Sequence, residues 1–341
     1  MKNLHITFVL AFFALMLLPD EAEAQRRNPN RSGMTNTGLR RNFQDQFQYM
    51  SIGLSANAFN YFGDLAPKSG IMSTNISMTR PGIGLVGSYR LNPRFSARGT
   101  FTYGRVMADD NGKGMTETSK SIYRNTRNLS FRNDIKELAV VGIFDVIPHK
   151  RSYMTRKMFV PYAFAGIAVF HHNPQGKVPD SYDGPEAGKW VNLEPLGTEG
   201  QYVDGAGVET YSKIQIAIPV GIGVRYKVNS NLDLAFEIGY RHLFFDHLDD
   251  VGGVYIDKNR FGDNELAKVM SDRSGEFIDP TVMYNSPYGD PYLIVPGYGH
   301  ENATGSPNVR GNHKDNDIYV VTSLQLTYIL DMSRQGRSKF R

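Results

Sequence analysis

Along residues 214–228, IQIAIPVGIGVRYKV, every second position is apolar: Ile214, Ile216, Ile218, Val220, Ile222, Val224, Tyr226 and Val228. Between them stand Gln215, Ala217, Pro219, Gly221, Gly223, Arg225 and Lys227. Successive side chains of an extended chain point to opposite faces. The segment therefore predicts a strand with one hydrocarbon face and one face of small, polar and charged groups. Strands of soluble sheets commonly run about five or six residues, well short of this stripe.

The pattern recurs along the chain. Met50, Ile52, Leu54, Ala56 and Ala58 mark a first strand, and Ile83, Leu85, Tyr89 and Leu91 a second. Phe95, Ala97, Phe101 and Tyr103, alternating with Ser96, Arg98, Thr100 and Thr102, mark a third. Leu138, Val140, Phe144 and Val146 give the fourth. Val160, Tyr162, Phe164 and Phe170 give the fifth, whose other face is also apolar at Ala163, Ile167 and Val169. The segment quoted above is the sixth. Leu232, Leu234, Phe236, Ile238, Tyr240 and Phe244, backed by Asp233, Glu237 and Arg241, are the seventh. Ile318, Val320, Leu324, Leu326, Tyr328 and Leu330 are the eighth. In each strand the apolar set is read as the outward face.

The connections give these strands an architecture. Asn92-Pro93, 149–157 and 229–231 are short, whereas 60–81, 107–133, 171–211 and 246–316 are long, and short alternates with long. An even strand number, stripes of about 9–11 residues and alternating loop lengths are the marks of a membrane barrel. Residues 49–330 are thus expected to form an all-β, eight-stranded antiparallel transmembrane up-and-down β-barrel with short periplasmic turns and long extracellular loops. Tyr89, Phe95, Tyr226, Tyr240 and Phe244 fall where aromatic girdles would lie. In NYFGDLAP (60–67), Tyr61 and Phe62 are expected at girdle depth, and Gly63-Asp64 to turn the chain. A soluble lipocalin-type barrel would instead have an apolar interior and a polar exterior.

A barrel of eight strands is only wide enough for side chains to fill it. Arg90, Arg98, Glu137, Asp145, Arg225, Asp233, Glu237 and Arg241 are therefore expected to pair in the lumen as structural plugs, which leaves little room for a conducting pore.

Composition narrows the setting. The 341 residues include no Cys, which excludes disulfides, thiol chemistry and a lipid-bearing N-terminal cysteine. Lys2, the apolar run Ile6–Leu18 and Ala22-Glu23-Ala24 before Gln25 have the layout of a cleaved secretory signal over 1–24. Mean hydropathy is −0.38, but alternation hides a membrane barrel from such averages.

Charge is lopsided. Segment 25–48, a flexible basic periplasmic arm in this reading, holds five Arg and one Asp. The turn 149–157 and the tail 331–341 hold four basic residues each. The longest outer loops are acidic: 171–211 has seven acids against two bases. Basic groups at the periplasmic end would meet lipid phosphates or dock a periplasmic protein, with Lys150, Arg151, Arg156, Lys157, Arg334 and Arg337 as the docking candidates.

Enzymatic chemistry finds less support. His171-His172, Asp246, Asp249 and Asp250 lie at the outer rim. Their spacing matches no zinc, nucleophile or calcium-loop motif. No catalytic, cofactor or metal site is expected. The net charge of +4 does not imply nucleic acid for an exported barrel.

Six phrases carry a family resemblance: NYFGDLAP (60–67), RPGIGLVGSYRLNPRFSARGTFTYGRV (80–106), RNLSFRNDIKEL (127–138), VPYAFAGIAVFHHNPQG (160–176), WVNLEPLGTEGQ (190–201) and LAFEIGYRHLFFDHLDDVGGVY (234–255). Together they resemble the PorG-like outer-membrane barrels of Bacteroidetes, components of the type IX secretion system. The resemblance implies a non-enzymatic barrel that ties a periplasmic PorK/PorN-type ring to the outer membrane, and in some species supports gliding. It assigns no individual partner-binding residue. A passive porin and an outer-face hydrolase are the alternatives.

Overall fold

The computed structural model describes residues 48–65, 78–111, 127–149, 152–276, 283–285, 291–293, 309–311 and 316–330. The signal segment 1–24, nearly all of the arm 25–48, the tail 331–341, and Lys150, Arg151, Arg334 and Arg337 lie outside them.

The strands in chain order are β1 (Met50–Phe62), β2 (Arg80–Arg90), β3 (Phe95–Asp109), β4 (Ser130–Asp145), β5 (Phe159–His171), β6 (Pro174–Lys177) and β7 (Trp190–Asn192). There follow β8 (Ile214–Lys227), β9 (Leu232–Leu243), β10 (Met283–Asn285), β11 (Pro291–Leu293) and β12 (Ile318–Leu330), with an α-helix, α1 (Glu265–Ser271), among the described residues between β9 and β10. Strands β3-β2-β1-β12-β9-β8-β5-β4 pair in that order, and β3 pairs with β4, so the sheet closes on itself. All eight pairings are antiparallel. Closure leaves the barrel wall no free edge. The chain is an eight-stranded antiparallel transmembrane barrel.

Its surface is inside out relative to a soluble barrel. Leu54, Ile83, Leu138, Val140 and Ile222 stand exposed, each by 60% or more. Arg90, Arg98, Glu137, Asp145, Asp233, Glu237 and Arg241 are buried in the lumen. No described helix is long and apolar enough to cross a membrane.

The predicted outward faces hold for seven strands and invert for β5. Val160, Tyr162, Phe164 and Phe170 point inward and are buried, while Phe159, Ile167 and Val169 face out. The reason lies on the neighbouring strands. A side chain at Gly221 or Gly239 would collide with the Phe164 ring, and one at Gly223 with Tyr162. The glycines of β8 and β9 thus hollow the wall where two aromatic rings of β5 lie. The β5–β8 ladder runs from Phe159↔Tyr226 to Ala165↔Val220 and resumes at Ala168↔Ala217. The gap falls beside Pro219, which has no N–H to donate.

Tyr61 is a second correction. It lies one position past an outward residue of β1, and so it turns into the barrel, buried, rather than into a lipid girdle. The long connections are also shorter than expected, because β1 runs to Phe62, β3 to Asp109 and β4 starts at Ser130. Segment 171–211 is not a plain loop: β6 extends the sheet beside β4, and β7 beside β6.

Candidate functional site: a plugged lumen, a tied cap and a basic periplasmic rim

The lumen is filled by ion pairs arranged in layers. Along β9 the charged inward positions recur every fourth residue, Asp233, Glu237 and Arg241, about 13 Å apart along the strand. At the periplasmic end, Asp145 accepts from Arg90 and, at 3.1 Å, from Arg225. Asp233 accepts from Arg156 at 2.6 Å. In the middle layer Arg98 pairs with Glu237, which also accepts from Tyr162 Oη at 2.5 Å and Gln325 Nε2 at 2.8 Å. Toward the outer end Arg241 grips Glu137 with two bonds of 3.1 and 3.2 Å, and Tyr319 adds a third at 2.7 Å. Each carboxylate thus has several donors, as a buried charge requires. The cavity left between Tyr49, Arg90, Arg98 and Asp233 is about 30 Å³, room for a water or two rather than a solute.

Arg156 corrects the docking set. Its guanidinium reaches back into the barrel mouth, bonding Asp233 and the carbonyls of Tyr153, Asn229 and Ser230. Those carbonyls and one carboxylate use its donors, so it closes the barrel instead of facing a partner. Lys157 beside it is exposed, and its charge stays available at the rim.

Above the lumen, residues of the long outer connections form a cap. Arg127 donates to Asp110 at 2.7 and 2.8 Å and to the carbonyls of Asp64 and Arg310. Arg310, 2% exposed, donates to Glu199 at 2.9 Å and to the carbonyls of Asp250 and Ser271. Two arginines thereby join all four outer connections. Beneath them Phe131, Ile135, Phe170, Leu243, Leu248 and Val251 form an apolar core that continues the barrel interior upward.

Three of the polar groups flagged by sequence at this rim, His172, Asp249 and Asp250, are used structurally. His172 lies between Phe245 and Tyr211, with ring centroids 5.0 and 5.9 Å away, and burial lowers its pKa to about 4. Asp250 accepts from Thr198 and Tyr211, each at 2.5 Å, and burial pushes it up to about 6 against the pull of Arg310. Burial alone would raise Glu199, but His247, Arg310 and the Gly252 N–H hold it down at about 2. The Tyr61 hydroxyl lies 2.5 Å from Asp249 and 2.7 Å from Asp317. A phenol has one proton to donate, so one of the two carboxyls keeps its own. Burial and neighbouring carboxylates raise the pKa of both. Among the described residues no group of three His, Asp or Glu is placed to hold a metal ion.

Residues 37–182 match the model of a domain of unknown function, DUF6089. No curated protein matches the chain. Among solved structures it is similar to Ail, the attachment invasion locus protein of Yersinia pestis, in complex with the heparin analogue sucrose octasulfate (8% identity, TM-score 0.33, covering 83% of this chain and 97% of that one). It is also similar to OprG of Pseudomonas aeruginosa (8%, 0.36, 84% and 97%). A third is a major outer membrane protein of Thermus thermophilus (11%, 0.34, 82% and 99%).

Proposed function

We propose that this chain is a non-enzymatic structural barrel of the outer membrane that anchors a periplasmic ring of the type IX secretion machinery by protein contact. The observation that carries the structural half of this reading is the filled lumen. Three successive layers of buried ion pairs occupy the space a solute would need, so function falls to the surfaces at the two ends. The secretion half rests on the resemblance to PorG-like barrels, and the partner in that reading is a PorK/PorN-like ring component. Docking is assigned to the positive charge of the periplasmic turn at Lys150, Arg151 and Lys157 and of the tail at Arg334 and Arg337, without Arg156.

The test is a mild-detergent pull-down of tagged protein from its own envelope, read by mass spectrometry, with a parallel sample carrying Ala at Lys150, Arg151 and Lys157. Ring components recovered with wild type and lost in the variant support the reading. Recovery unchanged in the variant moves the contact away from this turn. No partner after crosslinking, together with steady conductance in planar bilayers, would replace the anchor with a porin.

A further inference from the structure

On three adjacent strands the outward apolar band ends at one level. The row Phe101, Leu138 and Val169 is exposed hydrocarbon. One outward step above it, Tyr103 is paired with Lys136 and Lys136 with His171. The next row pairs Arg105 with Asp134, and the row above sets Arg132 between Met107 and Gln175. These three rows carry three cations and one carboxylate, on a molecule whose two longest outer connections, 171–211 and 246–316, are acidic. On the outward face across the barrel, Pro81, Asn60, Ile318 and His242, near the outer ends of β2, β1, β12 and β9, carry no fixed charge, and the cation Arg80 at the tip of β2 has the opposite parity.

The cations are presented rather than spent. Lys136 is exposed and forms no ion pair among the described residues. The Arg132 guanidinium is stacked on Trp190 at 4.4 Å and held through Nε by Gln175 at 2.8 Å, which leaves its two terminal amino groups without a partner among the described residues. Arg105 is tied to Asp134 by two bonds of 2.5 and 2.9 Å, half exposed, which neutralises the one carboxylate in these three rows.

We propose that the outer rim of β3, β4 and β5 binds a phosphorylated glycolipid headgroup of the outer leaflet. Lys136 and the free end of Arg132 take the phosphate oxygens, while Tyr103 and Trp190 lie against the sugar and the upper acyl chain. The place fits the ligand: lysine and arginine at the first polar level above a lipid-facing band meet headgroups, and aromatic rings favour that same depth. The chemistry fits as well, because phosphate accepts charge-assisted bonds from ammonium and from planar guanidinium, which stacking on Trp190 pre-orients. The proposal rests on the outer-membrane reading of the chain and not on its secretion role.

Trp190 is the single tryptophan of the chain and touches the site, so its fluorescence reports occupancy. Full-length protein refolded in detergent is titrated with diphosphorylated lipid A, dephosphorylated lipid A, phosphatidylglycerol and inorganic phosphate, with native mass spectrometry as a second readout. Diphosphorylated lipid A is expected to bind at least about tenfold more tightly than the other three. The double variant R132Q/K136Q is expected to lose that margin while keeping the heat-modifiable gel migration of a folded barrel. Arg260→Gln, on the exposed top of the cap, should bind as wild type. Equal binding of dephosphorylated lipid A, or wild-type binding by the double variant, overturns the site. Phosphatidylglycerol as tight as lipid A makes it a generic anionic surface, and inorganic phosphate as tight makes it a free-anion site; either result overturns the glycolipid assignment. Fractionation of native protein away from the outer membrane would strike the localisation instead, because the titration is independent of it.

Discussion

Replacing Glu237 with Gln puts the closed lumen to a quantitative test. The carboxylate is 3% exposed and accepts from both Arg98 amino groups, Tyr162 and Gln325. Glutamine keeps the volume and one acceptor, but it removes the charge and sets an amide N–H against the guanidinium. If water is excluded, Arg98 is left as an uncompensated buried cation and the barrel should lose about 3–5 kcal/mol. If the lumen were a hydrated channel, the same pair would be screened and worth about 0–1 kcal/mol. The two cases differ enough to separate by equilibrium urea unfolding in lipid vesicles, followed by far-UV circular dichroism and heat-modifiable gel migration. The double variant R98M/E237L removes both charges and should recover most of the loss, since a packed apolar pair commonly equals or exceeds a buried ion pair. A loss below about 1 kcal/mol in Glu237→Gln would refute the dry, filled lumen.

Other expectations follow from the same geometry. Arg156→Ala should cost about 3–5 kcal/mol by stripping Asp233 and the turn carbonyls of their donor, whereas Lys157→Ala should leave unfolding unchanged within about 0.5 kcal/mol. Arg310→Met should open the cap and not the wall, raising protease cleavage within 244–276 while gel migration stays that of a folded barrel. The cap should loosen as pH rises. Asp249 and Asp317 have raised pKa values in the folded state, so their stabilisation is full below the ordinary carboxyl range and is lost as pH climbs through the folded values. Asp250, moved from 3.8 to about 6, adds about 3 kcal/mol of loss over that interval, opposed by His172, which favours the cap as pH rises from about 4 to 6.5. Hydrogen exchange at 248–252, corrected for intrinsic rate, should therefore show protection that falls as pH is raised above the ordinary carboxyl range, and Asp317→Asn should flatten that change.

The wall was legible in the sequence because a membrane barrel writes its two solvents on alternate residues. Leu234, Phe236 and Ile238 against Asp233, Glu237 and Arg241 admit only one assignment of faces. Strand β5 did not, since Tyr162 and Phe164 are as apolar as Ile167 and Val169. The information that settles it sits some 60 to 75 residues later, in Gly221, Gly223 and Gly239, and becomes readable only when register sets those glycines beside the rings. Arg156 was misread for a related reason. A basic residue in a short turn looks solvent-facing unless the neighbouring turn, 229–231, is known to offer carbonyls to it. The cap was the least legible part. Arg127 and Arg310 are 183 residues apart, and no local pattern marks either as the tie between four loops.

The same filled interior also determines how the molecule would behave as a mechanical object. An empty cylinder ovalises when squeezed and lets one end yield without the other. Here β3, β9 and β12 are bridged across the lumen by Arg98, Glu237 and Gln325, and close-packed interiors have low compressibility and transmit strain. A pull on the periplasmic turns would thus be borne by the whole circumference at once. The barrel is a solid peg, and under load the surrounding bilayer, or the loops at either end, would give way before its cross-section did.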